Sequence, residues 1–362
     1  MVSPASSTWR GQRVFLTGHT GFKGSWLSLW LAKLGAVTHG YALNPPTDPS
    51  LFDVARVSSL LASDTRADLA DLDRLTDALR LAAPKVVFHL AAQPLVREGY
   101  RSPIETFVTN VIGTAHLLQA VRETPSVEAV VIITTDKVYE NLERSHAYRE
   151  VDALGGRDPY GASKAAAELV VSSYRASFFA TQEDRHARIA SARAGNVIGG
   201  GDWAPERLVP DCFRADVTGS NVKLRYPQAV RPWQHVLEPL RGYLLLAEKL
   251  LSENGDGFAT AWNFGPDVID EASVGHVAQL TASLLGKPDL IEDAPSLSDP
   301  HEAGVLRIDS TRANTELDWR PRWGLQTAIE QSVAWHKAWK AKQDLAAICL
   351  QQIDSYDRAG AR

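Results

Sequence analysis

Tyr160 and Lys164 stand four residues apart, downstream of the triplet Thr135-Asp136-Lys137. On a helix, positions i and i+4 share a face, so the phenol and the ammonium become neighbours. A free tyrosine titrates at about 10 and is a poor base near neutrality. A cation beside it stabilises the phenolate and lowers that value. Such a pair can take the proton of a sugar hydroxyl while a nicotinamide takes the hydride from the same carbon. Thr135 adds a hydrogen-bonding hydroxyl, and Asp136 and Lys137 add an acid and a base side by side. Tyr-x-x-x-Lys also describes an exposed tyrosine beside a solvated lysine, so the elements around it must decide.

The chain opens with the strand Arg13–Thr17, which runs into Gly18-His19-Thr20-Gly21-Phe22-Lys23-Gly24. A helix is expected over about Ser25–Leu34 and a second strand over Ala36–Tyr41. That is a strand, glycine turn, helix and strand unit for binding a dinucleotide. Gly18 allows the tight turn, Gly21 admits a pyrophosphate to the backbone, and Gly24 lets helix and strand pack. The helix N-terminus offers free N–H groups and a positive dipole end to the phosphates. The acidic residue that usually follows the second strand is absent. Asn44 stands in that region and no arginine is there to meet a 2′-phosphate, so the cofactor expected is NAD. Asp68 and Leu69 can clamp an adenine, though Asp68 also belongs to a stretch of surface acids.

More strands follow. Val86–Leu90 ends in Ala91-Ala92-Gln93-Pro94, small residues suited to lie against a cofactor. A helix over Ile104–Val121 contains Asn110, and Ala129–Thr134 is the next strand. Thr135-Asp136-Lys137 therefore stands at a strand's carboxyl end, where open parallel sheets place ligands. The Tyr160 helix and a strand at Ile189–Arg193 complete the alternation, with Thr181–His186 as a polar surface turn. The fold class is α/β: a Rossmann-type doubly wound parallel sheet with a smaller C-terminal substrate-binding lobe.

Composition excludes several classes. Hydrophobic residues make up 44% of the 362, charged ones 22%, ordinary values for a globular protein. A formal net charge of −5 leaves no basic footprint for nucleic acid or anionic membrane. No apolar run has transmembrane length, and Met1–Gly11 is too short and polar for a signal peptide. Cys212 and Cys349 have no metal-binding or redox spacing and fit a reducing cytoplasm. Trp262, Trp319, Trp323, Trp335 and Trp339 sit in apolar stretches, which predicts packing roles.

Thr17-Gly18-x-x-Gly21-x-x-Gly24, His89-x-Ala91-Ala92, Thr135, Tyr160-x-x-x-Lys164 and Arg193-x-Gly195-Asn196 together resemble the extended short-chain dehydrogenase/reductases that act on nucleotide sugars. The likeness covers nearly the whole chain, including Leu317-Asp318-Trp319-x-Pro321 and a helix over Leu325–Lys340. Gly18 to Leu27, Ala91 to Val96, Thr135 to Lys137, Arg193 to Trp203 and Arg231 to Val236 are similar to the CDP-glucose 4,6-dehydratase branch. In the dTDP-glucose and GDP-mannose branches, glutamate stands where this chain has Lys137.

The resemblance implies NAD as cofactor and CDP-glucose as substrate. Tyr160 would take the C4 hydroxyl proton, Lys164 would lower the tyrosine's pKa and hold the ribose, and Thr135 would bond the same hydroxyl. The C4 ketone then acidifies C5. Asp136 is the candidate acid for the C6 hydroxyl and Lys137 the candidate base for C5. A water or Tyr160 could move that proton instead. A lysine base requires a drop of about 3 units from its ordinary pKa, or about 4 kcal/mol. Cofactor contacts are expected at Gly18 to Lys23, Asn44, Asp68, Leu69, Ala91, Ala92, Gln93, Asn110, Tyr160 and Lys164. Substrate contacts are expected at Gln93, Asn196, the Gly199–Gly201 loop, Arg207, Leu208, Val209, Arg225, Tyr226, Arg231, His235 and His301. Arg207, Arg231 and His235 are the diphosphate candidates, with Arg225 and Tyr226 along the nucleotide.

Residues 1–195 would bind NAD with help from later segments, 196–345 would bind substrate, and 346–362 would be a tail. The helices over Ile104–Val121 and Pro159–Ser177 resemble the family's dimerisation pair, so a homodimer or dimer of dimers is expected. The implied setting is deoxysugar synthesis for bacterial surface polysaccharide. A 4-epimerase or a decarboxylase on the same scaffold is the alternative, although neither needs an Asp-Lys acid–base pair. A non-catalytic redox sensor would typically lose the tyrosine.

Overall fold

Seven strands pair in the order β7-β6-β5-β4-β1-β2-β3, every neighbour parallel. They are β1 (Arg13–Thr17), β2 (Val37–Ala42), β3 (Ser63–Arg66), β4 (Val86–His89), β5 (Ala129–Ile133), β6 (Arg188–Ala194) and β7 (Ala261–Phe264). The structure, a computed structural model, describes residues 3–143, 146–180, 187–293 and 304–360. All residues of β4 and β5 are buried, as expected of parallel strands covered on both faces. Two apolar clusters form the two sides of this sheet, the larger one also taking in the C-terminal third of the chain.

Helix α1 (Phe22–Leu34) starts three residues earlier than its sequence suggests, because Gly21 is itself the N-cap. Gly18 has φ +75°, and a Cβ there would lie 2.5 Å from the Ala91 nitrogen, so β1 and β4 approach at a spacing only glycine permits. Helix α2 (Leu72–Ala82) and helix α3 (Val96–Arg101) follow β3 and β4. The helix expected over Ile104–Val121 is instead a short helix Pro103–Phe107, a π-helical turn Val108–Ile112 and α4 (Gly113–Arg122). The π turn carries Asn110, whose amide grips the backbone of Gln93 in both directions and also donates to Ser163 Oγ. Such turns often mark functional segments.

Helix α5 (Pro159–Tyr174) is capped by Asp158, whose carboxylate accepts the Gly161 N–H, with proline at its first position. Tyr160, Lys164, Glu168 and Val171 form one buried stripe along it. The smaller lobe packs α6 (Leu208–Thr218) and α8 (Val274–Leu285) around the paired strands Val222–Leu224 and Ile291–Asp293. Between them in the chain, α7 (Leu237–Leu251) packs against β5 and β6.

The helix expected over Leu325–Lys340 is present as α9. The expected tail is a helix, α10 (Leu345–Arg358), with Cys349, Ile353 and Tyr356 buried. It returns to α1 through the Trp30–Tyr356 ring contact and the Lys33–Asp354 ion pair at 2.6 Å. Its apolar residues recur at helical spacing, a signal present in the sequence. Trp262, Trp319, Trp323 and Trp335 are core residues, and Trp339 packs on Trp203. Among the described residues no helix is long and apolar enough to cross a membrane.

Candidate active site

Strand order reverses between β1 and β4, and that reversal opens a crevice at the carboxyl ends of the strands. A cavity of about 690 Å³ occupies it. One side is the glycine turn, where Gly18, Thr20, Gly21, Phe22 and Lys23 line the wall. Asn44 lines it after β2, Asp68 and Leu69 after β3, and Ala91 and Ala92 after β4. The Asp68 carboxylate is turned back to its own Ala70 N–H at 2.9 Å, and Leu69 is buried.

Thr135, Asp136, Lys137, Tyr160 and Lys164 all line the same cavity. Tyr160 is hydrogen-bonded to Thr135, whose hydroxyl is also 3.0 Å from Asp136 Oδ1. Asp136 Oδ2 is buried without a hydrogen-bond partner, and Gly195 leaves room beside it: a Cβ there would come within 3.2 Å. Burial pushes the Asp136 carboxyl above the ordinary carboxylate range, against the pull of Lys137, Thr135, Arg231 and Lys23. That is the direction a proton donor needs.

Burial lifts Tyr160 to about 12, opposed by the Thr135 hydrogen bond and by Arg207. The sequence-based expectation that Lys164 lowers the tyrosine is therefore not met in the resting protein. Lys164 Nζ instead donates to the Ile133 carbonyl at 3.1 Å, and burial brings it down to about 8. Lys23, in the glycine turn, is pulled to about 7 by burial and by Arg207 and Lys164, with Asp136 and Asp202 opposing. The cavity thus brings Lys23, Lys137, Lys164 and Arg207 together with Asp136 and Asp202 around Tyr160.

Residues 15–332 match the family described as GDP-mannose 4,6 dehydratase. The chain belongs to this family. Over 360 residues, 98% of each chain, it is 48% identical to the CDP-glucose 4,6-dehydratase of Salmonella typhimurium strain LT2. Among solved structures it is similar to MoeE5 in complex with UDP-glucose and NAD, with TM-score 0.75, 25% identity and coverage of 90% of this chain and 99% of that one. A dTDP-glucose 4,6-dehydratase double mutant from Streptomyces venezuelae, with NAD and DAU bound, shares the fold at TM-score 0.77 and 22% identity, covering 92% and 100%.

In this dehydratase-family chain the second lobe closes the cavity. Asn196, Arg207, Leu208, Val209, Arg225, Tyr226 and Arg231 line it, as their sequence positions suggest. Arg207 pairs with the buried Asp202 at 2.9 Å, and Arg231 is buried beside its own loop carbonyls. Other expectations need correcting. His235 is fully buried, edge-on to Trp26 and Trp323, and burial takes it to about 3, so it is a neutral core ring and no diphosphate ligand. His19 turns its ring to Asp64 at 2.8 Å, away from the cavity. Gln93 and Asn110 stand behind the wall, bonded to each other's segments and to Thr106 and Ser163.

Of the Gly199–Gly201 loop, only Gly201 reaches the cavity. Gly200 is pressed on Trp335, where a Cβ would come within 2.0 Å of the ring, so its glycine serves packing. His301 lies outside the described residues. Among the liners given no role in the sequence reading, Arg97 faces Glu206 across 3.6 Å, and Lys223 and Trp203 also reach the cavity. Glu168 was also missed, although its i+4 spacing from Lys164 was a usable signal.

Proposed function

We propose that this protein converts CDP-D-glucose to CDP-4-dehydro-6-deoxy-D-glucose and water, with NAD held as a recycled cofactor. The observation that carries the reading is the convergence of two acid–base sets, Tyr160-Lys164 and Asp136-Lys137, on one cavity wall. It occurs in a chain matched end to end, at 48% identity, by a CDP-glucose 4,6-dehydratase. The Gly18 turn at the start of α1, with its outward N–H groups, and the small Ala91-Ala92 wall fit a dinucleotide. Bound there, NAD supplies a hydride acceptor for C4 and later the hydride donor for C6.

Tyr160, as phenolate, accepts the C4 hydroxyl proton while Thr135 holds that oxygen. Lys164 carries positive charge to the tyrosine and to the cofactor ribose. The resulting C4 ketone acidifies the C5 proton, which Lys137 removes. Asp136 protonates the departing C6 hydroxyl, so C5–H and C6–O break as the C5–C6 double bond forms. Lys137 then returns a proton to C5. Arg207, Arg231 and Asn196 hold the diphosphate and sugar, with Arg225 and Tyr226 along the nucleotide. The product would feed deoxysugar synthesis for a bacterial surface polysaccharide in the cytoplasm, a setting in keeping with the unpaired buried thiols Cys212 and Cys349.

The experiment is parallel turnover of CDP-glucose, dTDP-glucose, UDP-glucose and GDP-mannose, read by the alkaline absorbance of a 4-keto-6-deoxy product. Product from CDP-glucose alone is expected. Product from another nucleotide instead would keep the mechanism and remove the link between Lys137 and cytosine. No keto product from any of the four would rule out dehydration.

A homodimer is the assembly we infer. Ile104, Phe107, Val108, Ile112 and Leu169 expose apolar side chains around the π turn and α5, a patch of the kind interfaces cover. Light scattering should give a mass of at least twice 39.5 kDa. A monomer mass at micromolar concentration would refute the assignment.

A further inference from the structure

The two acid–base sets belong to different elements, and the reaction needs them in register. Tyr160 and Lys164 ride on α5, whereas Thr135, Asp136 and Lys137 ride on the loop after β5. Their targets, C4, C5 and C6, are adjacent atoms of one sugar. A misplacement of about 1 Å can cost about a hundredfold in rate. Something must tie helix to loop, and neither the acid–base chemistry nor ligand binding uses the residues that do so.

Glu168 lies one helical turn beyond Lys164 and two beyond Tyr160, on the same buried face of α5. Its carboxylate makes a two-point pair with Arg193, Oε1 to Nε at 2.9 Å and Oε2 to Nη2 at 3.0 Å. Both side chains are only 4% exposed. Oε1 also accepts the Thr134 hydroxyl at 2.6 Å, and Oε2 the Ser191 hydroxyl at 2.7 Å. On the far side, Arg193 Nη1 donates to the Tyr139 hydroxyl at 2.9 Å, with the guanidinium 5.0 Å from that ring's centre. Thr134 and Tyr139 stand immediately before and shortly after the Thr135-Asp136-Lys137 segment. Both ends of the acid–base loop are therefore bonded to one ion pair that is rooted in the helix of Tyr160.

The anchoring extends further. Tyr139 donates to Asn263 Oδ1 at 2.7 Å, and Asn263 Nδ2 donates to the Tyr148 and Asp309 carbonyls. A buried ion pair is weak evidence for stability as such, since well-packed apolar residues of equal volume often do as well. What the pair supplies here is a fixed geometry, with two forked bonds and further hydrogen bonds to Thr134, Ser191 and Tyr139 that admit one arrangement.

We infer that the Glu168–Arg193 pair is a positioning device that keeps the Asp136-Lys137 loop in register with the Tyr160-Lys164 helix, so that C4 oxidation commits to elimination. The inference rests on the dehydratase reading of the site. Oxidation breaks C4–H and O–H, sending hydride to nicotinamide and the proton to Tyr160. Elimination breaks C5–H and C6–O and releases water. If the loop drifts while the helix keeps its place, the first half continues and the second slows. Reduced nicotinamide and the 4-keto hexose then accumulate on the protein.

The test uses Thr134→Val and Tyr139→Phe, singly and combined, which leave the ion pair whole and cut its ties to the loop, Tyr139→Phe also removing the bond to Asn263. Ser191→Ala is the control, because it removes a bond to the same carboxylate without touching the loop. With CDP-glucose and NAD, the double variant should turn over about a hundredfold more slowly. Its fraction of sites holding reduced nicotinamide at steady state, read by 340 nm absorbance, should rise at least about fivefold, and its Tm should stay within a few degrees of the parent. Ser191→Ala should leave the partition unchanged.

Equal loss in both half-reactions, or an unchanged partition in the double variant, would overturn the positioning role. If the double variant does not fold, the two single variants decide by the same partition. If the parent protein itself oxidises no nucleotide sugar, the dehydratase reading fails first, an outcome distinct from a parent that turns over beside variants whose partition does not move.

Discussion

Tyr160→Phe should fold as the parent does and lose about 10²- to 10⁴-fold in turnover, the range expected for removing a general base. The ring is buried against α5 and the cavity wall and remains in place. Thr135 loses one partner but keeps Asp136 Oδ1 at 3.0 Å, so no hydroxyl is stranded. Stability should therefore change little, and Tm measured beside kcat separates chemistry from folding. In the resting protein the tyrosine sits at about 12, some five units above neutrality. Holding it as phenolate at pH 7 costs about 7 kcal/mol.

That value already includes the opposing pull of Thr135 and Arg207, so bound ligands must offset the cost that remains. The sign then fixes the pH profile. The phenolate is the active form, so kcat/KM falls as pH drops below the tyrosine's apparent pKa in the loaded protein. The variant should lose that acid limb along with its activity. A phenylalanine variant retaining more than a tenth of parental turnover would assign the base elsewhere.

The acid and base of the elimination should separate by isotope. Asp136→Asn and Lys137→Met are each expected to lower product formation by about 10²- to 10⁴-fold. Their exchange behaviour should differ. Asparagine cannot deliver a proton to the C6 hydroxyl, but Lys137 can still remove the C5 proton once the ketone has formed. Asp136→Asn incubated in deuterium oxide should therefore incorporate deuterium at C5 without losing water. Lys137→Met should oxidise C4 and incorporate none. Asp136 is well placed for the acid role because its free Oδ2 is buried and its carboxyl is held toward the neutral form. Exchange in the lysine variant equal to that in the parent would transfer the C5 proton to Tyr160 or to a water.

The local signals that proved reliable in the sequence were those carried by backbone constraints. The glycine turn, the strand ends at Ala91 and Thr135, and Tyr160 with Lys164 follow from glycine tolerance and from periods of two and of 3.6 residues. α9 was legible for the same reason. Charge environments were not legible. Nothing in Tyr-x-x-x-Lys says that the lysine will bond the Ile133 carbonyl, or that Arg207 from the second lobe will oppose burial at the tyrosine.

His235 failed as a phosphate ligand because its neighbours Trp26 and Trp323 come from 209 positions before it and 88 after it, and only folding shows the cage they make. Gly200 likewise gave no hint that its partner is Trp335, far along the chain. The π turn at Val108–Ile112 has no local sequence signature, since the bonds that fix Asn110 reach Gln93 and Ser163.

The seventh strand and the last helix bear on how such a chain can be rearranged. β7 is drawn from residues 261–264 and completes the sheet edge beside β6, while α10 covers α1 from residues 345–358. The half that would hold the cofactor is thus finished only by later sequence, β7 from within the stretch that builds the substrate lobe and α10 from beyond it. Cut at residue 195, it would leave β6 an open edge and Trp30 without its Tyr356 cover. Exchanging substrate lobes between relatives by a single crossover is therefore unlike swapping beads on a string. A graft must carry its own β7 and α10, or accept them from the host, and the interface that most needs matching lies on the back of the cofactor helix rather than at the mouth of the site.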